Sequence, residues 1–250
     1  MSVFLRRVVV VAVVGVGLAG CSGGSGTTLP GHPLSYEDDT VVGGRITAVH
    51  LNTDAGNVEI DSRAGAKAVS VHRAVHNQSG RPVDATTRTE GGTLSLNGCE
   101  PQCAVDYTLV VPSGVTVDGA TTVGSVSLTG LNGIDVTTEN GDLTVRHVTA
   151  GPITLRSENG GIRGTDLGGS DIRAQSTNGG IDLAATTPQD IAAHLENGTL
   201  TLSVPNQPYA ITATKQNGTI SLGVPQDPAA AHHLDLGVEN GEISVRPNGS

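Results

Sequence analysis

Apolar and polar residues alternate through the second half of the chain, and Asn-Gly interrupts the alternation at regular intervals. Six segments carry the pattern: IDVTTENGDLTV from Ile134, ITLRSENGGIRG from Ile153, IRAQSTNGGIDL from Ile172, IAAHLENGTLTL from Ile191, ITATKQNGTISL from Ile211 and LDLGVENGEISV from Leu234. Their Asn-Gly glycines stand at 141, 160, 179, 198, 218 and 241, so the spacings are 19, 19, 19, 20 and 23. Looser copies run from Val49 to Ile60 around Gly56 and from Val115 to Leu128 around Gly124. A period of two predicts half-buried strands, and Asn-Gly supplies the positive φ that a tight turn needs. Helical periodicity is absent. Only Asp227–Leu236, with its alanine run, suits a helical turn.

Two all-β architectures satisfy this pattern. Asn-Gly between alternating strands is a hairpin signal, which would give an antiparallel meander, sandwich or barrel. The other reading makes each repeat one coil of a parallel β-solenoid (β-helix) of about 19–20 residues, with each strand lying on its counterpart one repeat later. Near-constant spacing favours the solenoid, because stacked coils must superpose. Asn140, Asn159, Asn178, Asn197, Asn217 and Asn240 would then form one column along a corner, hydrogen-bonded like the amide ladders of stacked sheets. Pairing of residue i with i+19 distinguishes this from pairing symmetric about each Asn-Gly.

The first 20 residues read differently. They contain no acid; Arg6 and Arg7 precede an apolar run from Val8 to Leu18, which ends in Leu18-Ala19-Gly20-Cys21. A basic start, a short apolar core and a small-residue cleavage site make a signal peptide. The run is shorter than the roughly 20 apolar residues of a spanning helix. Leu-Ala-Gly-Cys resembles the lipobox of bacterial lipoproteins, which implies cleavage before Cys21 and palmitate-type acyl chains on that cysteine. Gly20-Cys21-Ser22-Gly23-Gly24 also matches the Gly-x-Ser-x-Gly elbow of hydrolases, but cleavage would cut that motif apart. The organisation expected is therefore a signal peptide over 1–20, a lipidated Cys21 and flexible tether over 21–40, a less regular β part over 41–112 and the regular repeat over 113–250.

Composition narrows the partners. Lys and Arg number 14 against 24 Asp and Glu, for a formal charge of −10. Such a surface repels nucleic acid and anionic headgroups. There is no Trp, one Phe, and only Tyr36, Tyr107 and Tyr209, beside 35 Gly. A core without large rings must come from Val, Ile, Leu and Ala in a thin, regular arrangement. With Cys21 lipidated, Cys99 and Cys103 remain, and in an exported protein that pair reads as a small disulfide loop.

The Cys99-x3-Cys103 pair, the segment Tyr107-Thr-Leu-Val-Val-Pro112-Ser-Gly and the successive Asn-Gly-x-Ile/Leu coils resemble a bacterial family of β-strand-repeat proteins described as candidate adhesins, of unassigned function. The resemblance covers about Val41 to Arg246. It implies a parallel β-helical body outside the cytoplasm.

Chemistry is sparse. Asp135, Asp142, Asp166, Asp171, Asp182 and Asp190 fall at different repeat positions, so no acid–base carboxylate pair is evident. His72 and His76 have helical ligand spacing in a stretch patterned as a strand, and His232-His233 stands alone; neither makes a zinc site. Glu139 and Glu158, each before an Asn-Gly, come nearest to a metal site, because adjacent coils would place their carboxylates together as calcium ligands. The calcium-binding repeat Gly-Gly-x-Gly-x-Asp is missing, and no metal or other cofactor is expected. Asn77-Gln78-Ser79 and the two Asn-Gly-Thr triplets match glycosylation sequons, a signal of little force in a chain with a lipobox.

The reading is thus a non-catalytic, membrane-anchored module that contacts envelope proteins or glycans. An envelope structural or sensory component, and a carbohydrate-active β-helix enzyme, are the competing classes; the last rests on fold analogy alone. The oligomeric state is not written in the sequence.

Overall fold

The computed structural model describes residues 34–78, 83, 85–99 and 102–249. The expected signal peptide, Cys21 and the first part of the tether lie outside them. Strands dominate. They are β1 (Leu34–Val42), β2 (Ala48–Ala55), β3 (Val58–Arg63), β4 (Val69–Asn77), β5 (Thr87–Glu90) and β6 (Thr93–Asn97). Then come β7 (Cys103–Pro112), β8 (Thr116–Val123), β9 (Val126–Thr129), β10 (Asn132–Asn140), β11 (Leu143–Val148) and β12 (Ala150–Asn159). The rest are β13 (Ile162–Leu167), β14 (Asp171–Asn178), β15 (Ile181–Ala185), β16 (Asp190–Val204), β17 (Ala210–Leu222) and β18 (His233–Pro247). No helix long and apolar enough to cross a membrane occurs among the described residues. The Asp227–Leu236 stretch forms no helix: its first part is a turn, in which Ala229 N donates to Asp227 Oδ1 at 2.9 Å and Ala230 N to Asp227 O at 3.0 Å, and His233–Leu236 begins β18. That aspartate competes with helical hydrogen bonding.

The repeat folds as a parallel β-solenoid. Ile134 lies beside Ile153, Ile153 beside Ile172 and Ile172 beside Ile191, each pair in parallel register. Each coil runs along a first sheet, turns at its Asn-Gly corner and returns along a second. Inward residues form columns between the sheets: Val117, Ile134, Ile153, Ile172, Ile191 and Leu234 on one side, Val126, Leu143, Ile162, Ile181, Leu200 and Ile243 on the other. All twelve are buried. Small aliphatic side chains fill this thin interior, so aromatic rings are not needed there.

Coils do not stack throughout in chain order. β16 pairs with β18 through the whole coil, Ile191 beside Leu234 and Leu200 beside Ile243, and β17 lies outside β18. The other end repeats the device. β2 and β3 lie between the β6–β7 coil and the β8–β9 coil. The i+19 rule therefore holds from β10 to β16 and fails beyond, where residues 43 apart become neighbours (Asn197 and Asn240).

The antiparallel alternative describes one region only. At the end where the described chain begins, β4 pairs antiparallel with β7 and β1, and β5 with β6. Leu34–Thr40, read from sequence as tether, forms most of β1 and lies along β4. Its acidic run gives no alternation to read, and it is held by Tyr36 and Asp38 instead. Between β6 and β7 the expected Cys99–Cys103 disulfide is formed, with Cα atoms 5.6 Å apart.

Candidate functional site

The corner is the most regular polar feature. Asn159 Nδ2 donates to Asn140 Oδ1 at 3.2 Å, Asn178 to Asn159 at 3.1 Å and Asn197 to Asn178 at 3.2 Å. The column continues out of chain order, with Asn240 donating to Asn197 at 3.1 Å and Asn217 to Asn240 at 2.9 Å. Main-chain bonds run through the same corner, with Gly141 N donating to Asn159 O at 3.0 Å and Gly160 N to Asn178 O at 2.9 Å. The glycines are required because consecutive corners touch. A Cβ on Gly179 would stand 2.2 Å from Gly160 O, on a backbone already at φ +149. Asn178→Ala removes a donated and an accepted bond at once. It is expected to cost about 1 kcal/mol, whereas Asn217→Ala, at the end of the column, costs about half; thermal melts followed by circular dichroism measure both.

Beside the column lies an open groove of about 640 Å³ on the outer face of the first sheet. Glu158, Glu196 and Glu239 line it from the positions before each Asn-Gly, and Arg156 and His194 contribute cationic or titratable groups. Arg156 Nη1 reaches Asp135 at 3.1 Å, and His194 Nε2 lies 3.5 Å from Asp235. Glu139 and Glu158 sit on neighbouring coils, both exposed. No cluster of three or more His, Cys, Asp or Glu positioned for a metal occurs among the described residues.

The scattered carboxylates and histidines tie coils together. Each of the seven described histidines lies within 4 Å of a carboxylate: His50 with Asp118, His72 with Asp39 and Glu37, His76 with Asp106, His147 with Asp166, His194 with Asp235, and His232 and His233 with Asp190. His72 and His76 thus reach different partners. Asp142 accepts from Gly161 N at 2.8 Å, and Asp171 pairs with Arg173 at 2.6 Å. Exposed pairs of this kind stabilise by at most about 1 kcal/mol each. Those between strands, such as His50–Asp118, His147–Asp166 and His194–Asp235, bridge neighbouring coils.

A second cluster, which repeat spacing cannot reveal, closes the end of the stack formed by β1 and β4. Arg73 on β4, its side chain 13% exposed, makes a forked ion pair with Asp38 on β1 and donates to Thr86 Oγ1 at 3.1 Å. Its guanidinium lies over the Tyr36 ring, 5.7 Å from the centroid. Burial alone would lower the Arg73 pKa; the hydrogen bond and charge of Asp38 outweigh it, so the pKa is raised. The buried Tyr107 hydroxyl donates to Asn97 O at 2.8 Å and also bonds Thr86 Oγ1. Burial pushes its pKa up against those bonds. Tyr209, buried where β16 gives way to β17, has its pKa raised by burial as well. Two of the three tyrosines thus fill places where coil stacking stops.

No curated protein matches the chain. Among solved structures it is similar to a candidate adhesin from Parabacteroides merdae, at 8% identity and a TM-score of 0.45, covering 84% of this chain and 95% of that one. It is similar to a candidate adhesin from Bacteroides fragilis at 13% identity and a TM-score of 0.44, covering 85% and 97%. A protein from Parabacteroides distasonis named as a candidate lipid-binding protein is similar at 11% identity and a TM-score of 0.41, covering 86% and 97%. The model of the Toastrack DUF4097 family matches residues 73–248, more than half of the chain and the whole regular stack. The chain belongs to the Toastrack DUF4097 family.

Proposed function

We propose that the chain is a lipid-anchored, extracytoplasmic contact module of the cell envelope, adhesin-like and working by binding rather than by catalysis. The observation that carries this reading is the outer face of the first sheet. Even, short corners leave an open groove without walls, in which Arg156 and His194 are paired with carboxylates on neighbouring coils. Catalysis needs convergent groups held in a cleft, whereas a flat solenoid face suits extended contact. The residues lining the groove include polar groups and both signs of charge, which fits an envelope protein or glycan.

Cys21 supplies the location in this reading. Lipid on that residue anchors the chain to the outer face of a membrane, because several acyl chains together give stable attachment. Cys21→Ser is expected to shift the chain from the membrane pellet to the soluble fraction of lysed cells. An unchanged pellet fraction contradicts the anchor.

A further inference from the structure

The end of the stack formed by β17 is unlike every other coil. β17 pairs with β18 on one side, and no other described strand pairs with its opposite edge. Both halves of the coil are open, Ala210–Lys215 on the first sheet and Thr219–Leu222 on the second. Ile211, Ala213, Ile220 and Leu222 point inward as Leu234, Leu236, Ile243 and Val245 do one coil earlier, yet are only half-buried. An unpaired edge over an open core is a template for strand addition.

The edge is complementary to itself. One half runs toward the Asn217-Gly218 corner and the other runs away from it. A two-fold axis through the corner therefore lays each half against the opposite half of a second copy, with strand directions opposed. In that pairing Ala213 faces Leu222 of the second copy and Lys215 faces its Ile220, inward residues against inward ones. Thr214 and Ser221, both outward, face each other in the same register. Charge does not oppose the approach: β17 has no Asp or Glu, although the whole chain carries −10.

One residue does oppose it. The inward position before the corner is Thr53, Thr121, Thr138, Ser157, Ser176, Leu195 and Val238 in the other coils, all buried. In β17 it is Lys215, exposed and one of only two lysines in the chain. A second copy would enclose two ammonium groups against Ile220 with no carboxylate in either strand, and an unpaired buried charge is very unfavourable. Inward-pointing charge is a known device for blunting sheet edges. We propose that the β17 end is a latent self-association surface for a second copy of this chain, and that Lys215 holds it closed.

Sedimentation velocity on the full chain carrying Cys21→Ser, so that no lipid drives association, tests this. The chain with Lys215 is expected to be monomeric. Lys215→Val, which installs the residue type found at the equivalent place in β18, lowers the dimer dissociation constant by roughly 100-fold or more. Asn217→Cys in both backgrounds reports the geometry, because the two corners meet on the axis. A disulfide-linked dimer forms readily when Asn217→Cys is combined with Lys215→Val, and does not form when the lysine is kept. If the valine variant precipitates, Lys215→Thr, with the residue type of three other coils, carries the same expectation. A monomeric uncharged variant, a dimer formed despite Lys215, species larger than a dimer, or a dimer that Asn217→Cys does not link each overturns the proposal.

Discussion

Gly160→Ala lowers the midpoint of thermal unfolding by about 6–12 °C, while Gly161→Ala, one residue along, leaves it within about 2 °C. The difference is local and steric. A Cβ on Gly160 would stand 2.0 Å from the carbonyl oxygen of Gly141 on the coil below, and backbone cannot step aside without opening the corner. On Gly161 the nearest atom is Asp142 Oδ1 at 3.5 Å, an ordinary contact. Forced overpacking against backbone costs about 3 kcal/mol, and about 2–4 °C per kcal/mol converts that into the shift for a body of this size. Equal midpoints for the two variants would mean that consecutive corners do not touch.

Ile243→Ala destabilises far more than Ile220→Ala: about 3–4 kcal/mol against about 1 kcal/mol. The two isoleucines occupy the same position in their repeats, three residues beyond the Asn. Ile243 on β18 is fully buried because β16 and β17 cover it from both sides, and Ile220 on β17 is half-buried with one neighbour. Were the coils stacked in chain order, β18 would be outermost and the ranking would reverse. Denaturant melts of the two variants read the ranking directly.

These contrasts mark what a repeat sequence does and does not disclose. Corners were legible because only glycine tolerates the contact there, so the pattern persists whatever else varies. Core positions were legible for a related reason: Ile134, Ile153 and Ile172 must alternate with polar neighbours to face inward. Coil order at the end was hidden, since the three last repeats carry one pattern and any of them pairs acceptably with any other. The lengthened spacings of 20 and 23, together with a lysine in an inward column, are the only traces of it. Strand β1 was hidden because Glu37, Asp38 and Asp39 mask alternation; Asp38 and Tyr36 are fixed by Arg73, 35 residues away from Asp38 in sequence. On the groove, the Glu positions before each Asn-Gly could be read from the repeat. Arg156 and His194 could not, because outward positions are free to change type from coil to coil.

Order within the stack is the claim on which the buried columns, the open β17 end and the role of Lys215 all depend. Cysteine pairs across the corner test it most directly. Thr199 lies beside Glu242 on the adjacent coil, and Thr219 lies on the far side of Glu242. Neighbouring strands are about 4.8 Å apart, and a disulfide cannot form when Cα atoms are more than about 7 Å apart. Oxidation of the Thr199→Cys, Glu242→Cys double variant is predicted to give an intramolecular disulfide, and the Thr199→Cys, Thr219→Cys variant is predicted to stay reduced. The opposite outcome, a disulfide in the second double variant and none in the first, would contradict the structure.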